Sequence, residues 1–92
     1  MITTEKLRIY ARYDGDPDVF DRMGTDEERL TISGDEWHRV FCLLRELTLM
    51  MKGLTSADYA ERIRAKLLAT AVDGDAATRM EEMAKEWLEQ TP

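Results

Sequence analysis

The sequence predicts an all-α fold, a single small helical bundle of four to five helices, from three observations. The first is a compound helix-start signal that occurs twice. At Ile32-Ser33-Gly34-Asp35-Glu36-Trp37, Ser33 is placed to cap a helix, Glu36 to reach back to its amide, and Ile32 to clamp onto Trp37. Leu54-Thr55-Ser56-Ala57-Asp58-Tyr59 repeats the grammar, with Thr55 as cap, Asp58 reciprocating and Leu54 meeting Tyr59. Each is a capping box joined to a hydrophobic staple. The second observation is apolar spacing of one residue per helical turn through the second half. The third is sparse interruption: two prolines and five glycines, the glycines falling at element ends.

In chain order, residues 6–13 admit two readings. Leu7, Ile9, Ala11 and Tyr13 alternate as in a strand, whereas Leu7, Tyr10 and Ala11 suit a helix capped by Thr3 or Thr4. The helix is preferred, because no other segment offers this one a partner and a lone strand is not stable. Asp16-Pro17 reads as a cap followed by proline at the first helical position. A short helix through Val19, Phe20 and Met23 should follow and end at Gly24. Thr25-Asp26-Glu27-Glu28 is a third capping box, but only Leu30 and Ile32 follow as anchors, so at most one turn is expected.

The clearest helix spans 34–52. Trp37, Val40, Phe41, Leu44, Leu47 and Met51 follow i, i+3, i+4, i+7 spacing, with Leu43 and Met50 widening the stripe and Gly53 as a left-handed stop. A helix over 56–72 should present Tyr59, Ala60, Ile63, Leu67 and Ala71 inward and end at Gly74. The short joint makes 34–72 an antiparallel helix hairpin. A C-terminal helix over 76–89, capped by Asp75 or Asp73, should bury Ala76, Met80, Met83, Ala84, Trp87 and Leu88. Residues 1–92 then form one helical domain, with an N-terminal helical segment 4–31 and a three-helix core 34–89.

Composition bounds the function. Apolar residues at 43% and charged residues at 35% suit a soluble globular protein. No stretch approaches the ~20 apolar residues that cross a bilayer, so no membrane role is expected. Residues 1–6 do not read as a signal peptide, and the single Cys42 is compatible with a reducing compartment, so cytoplasmic residence is expected. The net charge is −6, concentrated in residues 14–36, where nine acids against Arg22 and Arg29 leave −7. Such a block repels polyphosphate backbones, which disfavours nucleic acid, and attracts a basic protein partner.

Three clusters invite a chemical reading. Asp14-Gly15-Asp16-Pro17-Asp18 alternates carboxylates as a calcium loop does. Counted from Asp14, however, Val19 holds the position of the required glycine and Thr25 that of the bidentate glutamate, so calcium is not expected. His38 and Cys42 share a helical face, the spacing of two zinc ligands or of a thiolate beside an imidazole. A structural zinc site needs four ligands, and no second cysteine or histidine exists. Leu49 continues that face and makes a thin second apolar row, which the N-terminal segment should cover or a homo-oligomer could use. Tyr10 and Tyr13, beside Arg8 and Arg12, form a patch of residue types enriched in binding hot spots.

With no phosphate loop, nucleophile elbow or zinc-protease motif, the expectation is a small acidic protein-interaction domain, regulatory or adaptor in kind. It should be without catalytic activity, metal or cofactor. Its candidate partner-binding residues are Asp14, Asp16, Asp18, Asp21, Glu27, Glu28, Tyr10 and Tyr13. One alternative is an inhibitor or immunity-type protein capping a basic site, since small acidic helical immunity proteins share this size and charge balance. Another is a metal-dependent protein or enzyme using His38 and Cys42.

Overall fold

Hydroxyl and carboxylate caps set the start of each helix in the first half of the chain. The computed structural model describes residues 1–54, 56–58, 61–62, 65–66 and 72–90. The fold is all-α. Helix α1 spans Thr4–Arg12 and starts on Thr3, whose Oγ1 accepts from the Lys6 amide at 3.3 Å. This decides residues 6–13 in favour of helix. Leu7, Ile9 and Tyr10 are buried on it, while Ala11, expected inside, is exposed.

Helix α2, Pro17–Met23, opens on Asp16, whose Oδ1 accepts from the Asp18 amide at 2.9 Å and the Val19 amide at 3.4 Å. It closes at Gly24, as expected. Helix α3, Asp26–Thr31, carries the third capping box, with Glu28 N–H on Thr25 Oγ1 at 3.2 Å and Thr25 N–H on Glu28 Oε1 at 3.0 Å. It exceeds the single turn expected of it. The missing apolar anchors are replaced by Glu28, which is itself buried and held from α1.

Helix α4, Gly34–Met51, starts on the Ser33–Glu36 capping box. It ends where Gly53, at φ +71°, lets its amide reach the Met50 carbonyl and the Leu54 amide reach that of Leu49. That pair of bonds is a Schellman closure, with glycine at the left-handed position. Trp37, Val40, Leu47 and Thr48 are buried, and Leu43, Leu44 and Met50 pack half-buried against them. Phe41 and Met51 depart from expectation and are exposed. Phe41 lies at the edge of the stripe, whereas Met51 lies in its middle but on the last residue of the helix.

The capping box at 54–59 and the helix over 56–72 fall largely outside the described residues. Of those that are described, 57–58, 61–62 and 65–66 are helical, whereas Ser56 is not and Val72, expected on the flank of that helix, forms a bridge. Helix α5 is Gly74–Gln90, so Gly74 opens a helix rather than ending one. The Ala77 amide donates to the Asp73 carbonyl at 2.9 Å and closes the first turn. Ala76, Ala77, Met80 and Ala84 are buried, and the small alanine side chains let α5 pack closely on α4 and also on α1. Trp87, expected inside, is 54% exposed. It lies level with the end of α4, where Lys52 Nζ sits 5.9 Å from its ring centroid, so no further turn of α4 covers it.

One tertiary tie has no counterpart in the sequence expectations. Ile2 is fully buried and makes a single parallel bridge with Val72, and its carbonyl accepts from the Asp73 amide at 3.0 Å. The start of α1 is thereby anchored at the start of α5. Lys6 forms an ion pair with Glu36, which anchors α1 to the start of α4 as well.

Candidate functional site

The turn after α1 shapes the region that faces α2, α3 and α4. Asp14 and Gly15 adopt left-handed backbone, at φ +53° and +71°. A Cβ on Gly15 would stand 2.7 Å from the Tyr10 hydroxyl, so the turn accepts no side chain there. The Gly15 carbonyl accepts from the Trp37 indole N–H at 3.2 Å. Around that indole, aromatic rings gather from three helices. Phe20 stacks on Trp37 at 4.5 Å between centroids, Tyr10 tilts against it at 4.8 Å, and Tyr13 meets Phe20 edge-on at 5.3 Å.

This aromatic wall backs an open hollow of about 540 Å³ between α2, α3 and α4. Phe20, Ile32, Trp37 and Phe41 make its apolar lining, and Asp21, Arg29 and His38 stand among its polar groups. Phe41 is 48% exposed, with its ring 6.4 Å from that of His38. Arg29 braces the edge: one guanidinium nitrogen donates to the Asp21 carbonyl at 2.7 Å and another to the Asp26 carboxylate at 3.4 Å.

The acidic residues expected to bind a partner divide into two groups. Asp14, Asp16, Asp18, Asp21 and Glu27 are exposed. Gly15, Pro17 and Asp21 line the hollow, so the 14–21 stretch forms one of its edges. Glu28, expected at the surface, is instead engaged within the chain. It is buried and accepts from Tyr13 Oη at 2.6 Å, Arg12 Nη1 at 2.8 Å and the Thr25 amide at 3.0 Å. The Thr25 amide, then the Tyr13 hydroxyl, hold its carboxyl below the ordinary value of 4.5. The same bond to Glu28, helped by burial, raises the Tyr13 phenol above 10.0.

Tyr10 is a second correction. It is buried against Trp37 rather than exposed, and burial raises its phenol. The cap on Thr3 sets the phase of α1 and turns this ring inward. Tyr13 is half-buried and committed to Glu28 and Phe20. Of the aromatic and arginine patch expected at the surface, Arg8 and Arg12 stay exposed, while the two tyrosines turn inward, Tyr10 onto α4 and Tyr13, with the tip of Arg12, onto Glu28 of α3.

The chemical clusters stay modest. Asp16 spends Oδ1 on capping α2. His38 Nε2 lies 3.5 Å from Cys42 Sγ, His38 exposed and Cys42 half-buried. Among the described residues no three His, Cys, Asp or Glu side chains converge to hold a metal ion. No helix among them is long and apolar enough to cross a membrane. Leu49, expected to be covered by the N-terminal segment, is half-buried. The N-terminal segment packs on Trp37 of α4 through Tyr10 and the Gly15 carbonyl.

Sequence reasoning missed Ile32, Phe41 and Arg29 as parts of one site. Ile32 and Trp37 were paired by the staple, but nothing local brings Phe20 to them. No family model, curated protein or solved structure matches this chain.

Proposed function

We propose that this chain is a small acidic protein-interaction domain, regulatory or adaptor in kind and without catalytic activity, that engages a basic partner. The observation that carries this reading is the junction of an open apolar hollow with an edge of exposed carboxylates, Asp14, Asp16, Asp18 and Asp21, and with Glu27 exposed on α3. Apolar surface supplies affinity when water is expelled from it. A single-sign charged edge supplies encounter rate and partner choice. A compartment that keeps Cys42 reduced, the cytoplasm, goes with this reading.

Capture from native extract on the immobilised chain tests it. A captured basic protein that is lost on charge reversal at Asp16, Asp18, Asp21 and Glu27 supports the reading. Capture indifferent to that reversal and to salt overturns it. Light scattering across concentrations checks the remaining possibility, self-assembly through the Cys42 and Leu49 face, which would show as a rising mass.

A further inference from the structure

The geometry points to a more specific occupant of the hollow: a basic amphipathic segment of a partner protein, seating a large apolar anchor against the exposed Phe41, over the floor that Phe20, Ile32 and Trp37 make. This inference rests on the acidic-edge reading above and adds the anchor to it.

Three features argue for it. The floor of the hollow is pre-organised, since Trp37 is pinned by its bond to the Gly15 carbonyl and stacked on Phe20. An anchor entering such a site orders few protein side chains, which keeps the entropic cost of binding small. Phe41 then extends the apolar surface outward along α4, as the outer wall a second contact would cover. Finally, the polar groups at the edge are already engaged. Arg29 is held by the Asp21 main-chain carbonyl and by the Asp26 carboxylate, which offsets its charge, while Asp14, Asp18 and, beyond its capping bonds, Asp16 are exposed.

Charge complementarity selects among occupants. A second copy would set one acidic edge against another in a chain of net charge −6. A nucleic acid would bring phosphates against the same edge. An amphipathic segment with lysines or arginines flanking its apolar face satisfies both halves of the site, in the helix-in-groove manner.

The probes are two synthetic Lys-rich peptides of equal charge, one with a leucine and phenylalanine face and one with that face replaced by serine. Calorimetric titration into the full chain should give at least about tenfold tighter binding for the anchored peptide, the scale of a single buried hot spot. Phe41→Ser should erase that difference and leave the serine peptide unaffected. Charge reversal at Asp16, Asp18 and Asp21 should weaken both peptides. Equal affinity of the two peptides, or a difference that survives Phe41→Ser, overturns the anchor while the acidic edge stands. Failure of both peptides to bind at low salt overturns the acidic edge and the anchor together. Far-ultraviolet dichroism of each variant confirms that the helices are retained.

Discussion

Replacing Ile2 with alanine tests the least expected tie in the molecule. Ile2 is fully buried, although it sits next to the exposed Met1 in a segment with no helical periodicity. The substitution keeps the backbone bond from the Asp73 amide to the Ile2 carbonyl and the bridge to Val72, because both involve main-chain atoms. What is lost is side-chain burial, and a cavity remains between the starts of α1 and α5. Large-to-small changes of this type at buried sites cost about 2–5 kcal/mol. A domain of this size holds only about 5–15 kcal/mol in total, so the loss is a large fraction of it. Each kcal/mol corresponds to about 4–8 °C in Tm for a chain of this length. Urea unfolding followed by far-ultraviolet dichroism provides the measurement, with a slope of about 1–3 kcal/mol/M and a midpoint expected to fall by about 1 M or more. Leu30→Ala is the control, since Leu30 lies within α3 but is 88% exposed. It should change stability by less than about 0.5 kcal/mol. If Ile2→Ala costs no more than Leu30→Ala, the anchoring of α1 on α5 is wrong.

Other outcomes follow from the same contacts. Glu28 and Glu36 both have carboxyls held below 4.5, the first chiefly by the Thr25 amide and the second chiefly by Lys6. Their contribution is complete above that value and disappears as the pH falls through the lowered values, so thermal unfolding should show an acid limb below about pH 4.5. Glu28→Gln should lower Tm at neutral pH, because the Arg12 pair is lost, and should flatten that limb. Tyr10 and Tyr13 act in the opposite direction. Their phenols are raised above 10.0, so their contribution is complete below that pH and is lost as the pH rises past it. Tyr13→Phe should weaken the alkaline limb in a spectrophotometric titration. Gly24→Ala should cost about 1–3 kcal/mol in urea unfolding, because the new Cβ would stand 2.6 Å from the Phe20 carbonyl oxygen, a backbone atom that cannot move aside. Elemental analysis of the purified chain should find no stoichiometric metal. Metal present and lost on Cys42→Ala would show that His38 and Cys42 form a ligand pair.

The helix starts were legible because capping is local. A hydroxyl or carboxylate reaches amides two or three residues away, so Thr3, Asp16, Thr25 and Ser33 could each be identified from their neighbours. The same holds for the stop at Gly53, where the left-handed residue lies beside the carbonyls it helps to satisfy. The candidate site was half legible. Asp14, Asp16, Asp18 and Asp21 are exposed, as surface candidates should be, but Glu28 and Tyr10, expected beside them, lie inside.

Sequence alone therefore determined the helical class, the starts of α1 to α4 and the exposure of the acids from Asp14 to Asp21, the starts through interactions spanning a turn or less. Tertiary structure decided the pairing of Ile2 with Val72, the facing of α5 that leaves Trp87 half outside, and the recruitment of Glu28, still in its capping box, into a joint with Arg12 and Tyr13. It also decided that Phe20, Ile32, Trp37 and Phe41 share one hollow. The physical reason is that a helix repeats its faces every turn whatever packs on it. Which part of a stripe is covered depends on neighbours that are distant in the chain, and the packing between helices, not the spacing within one, selects them.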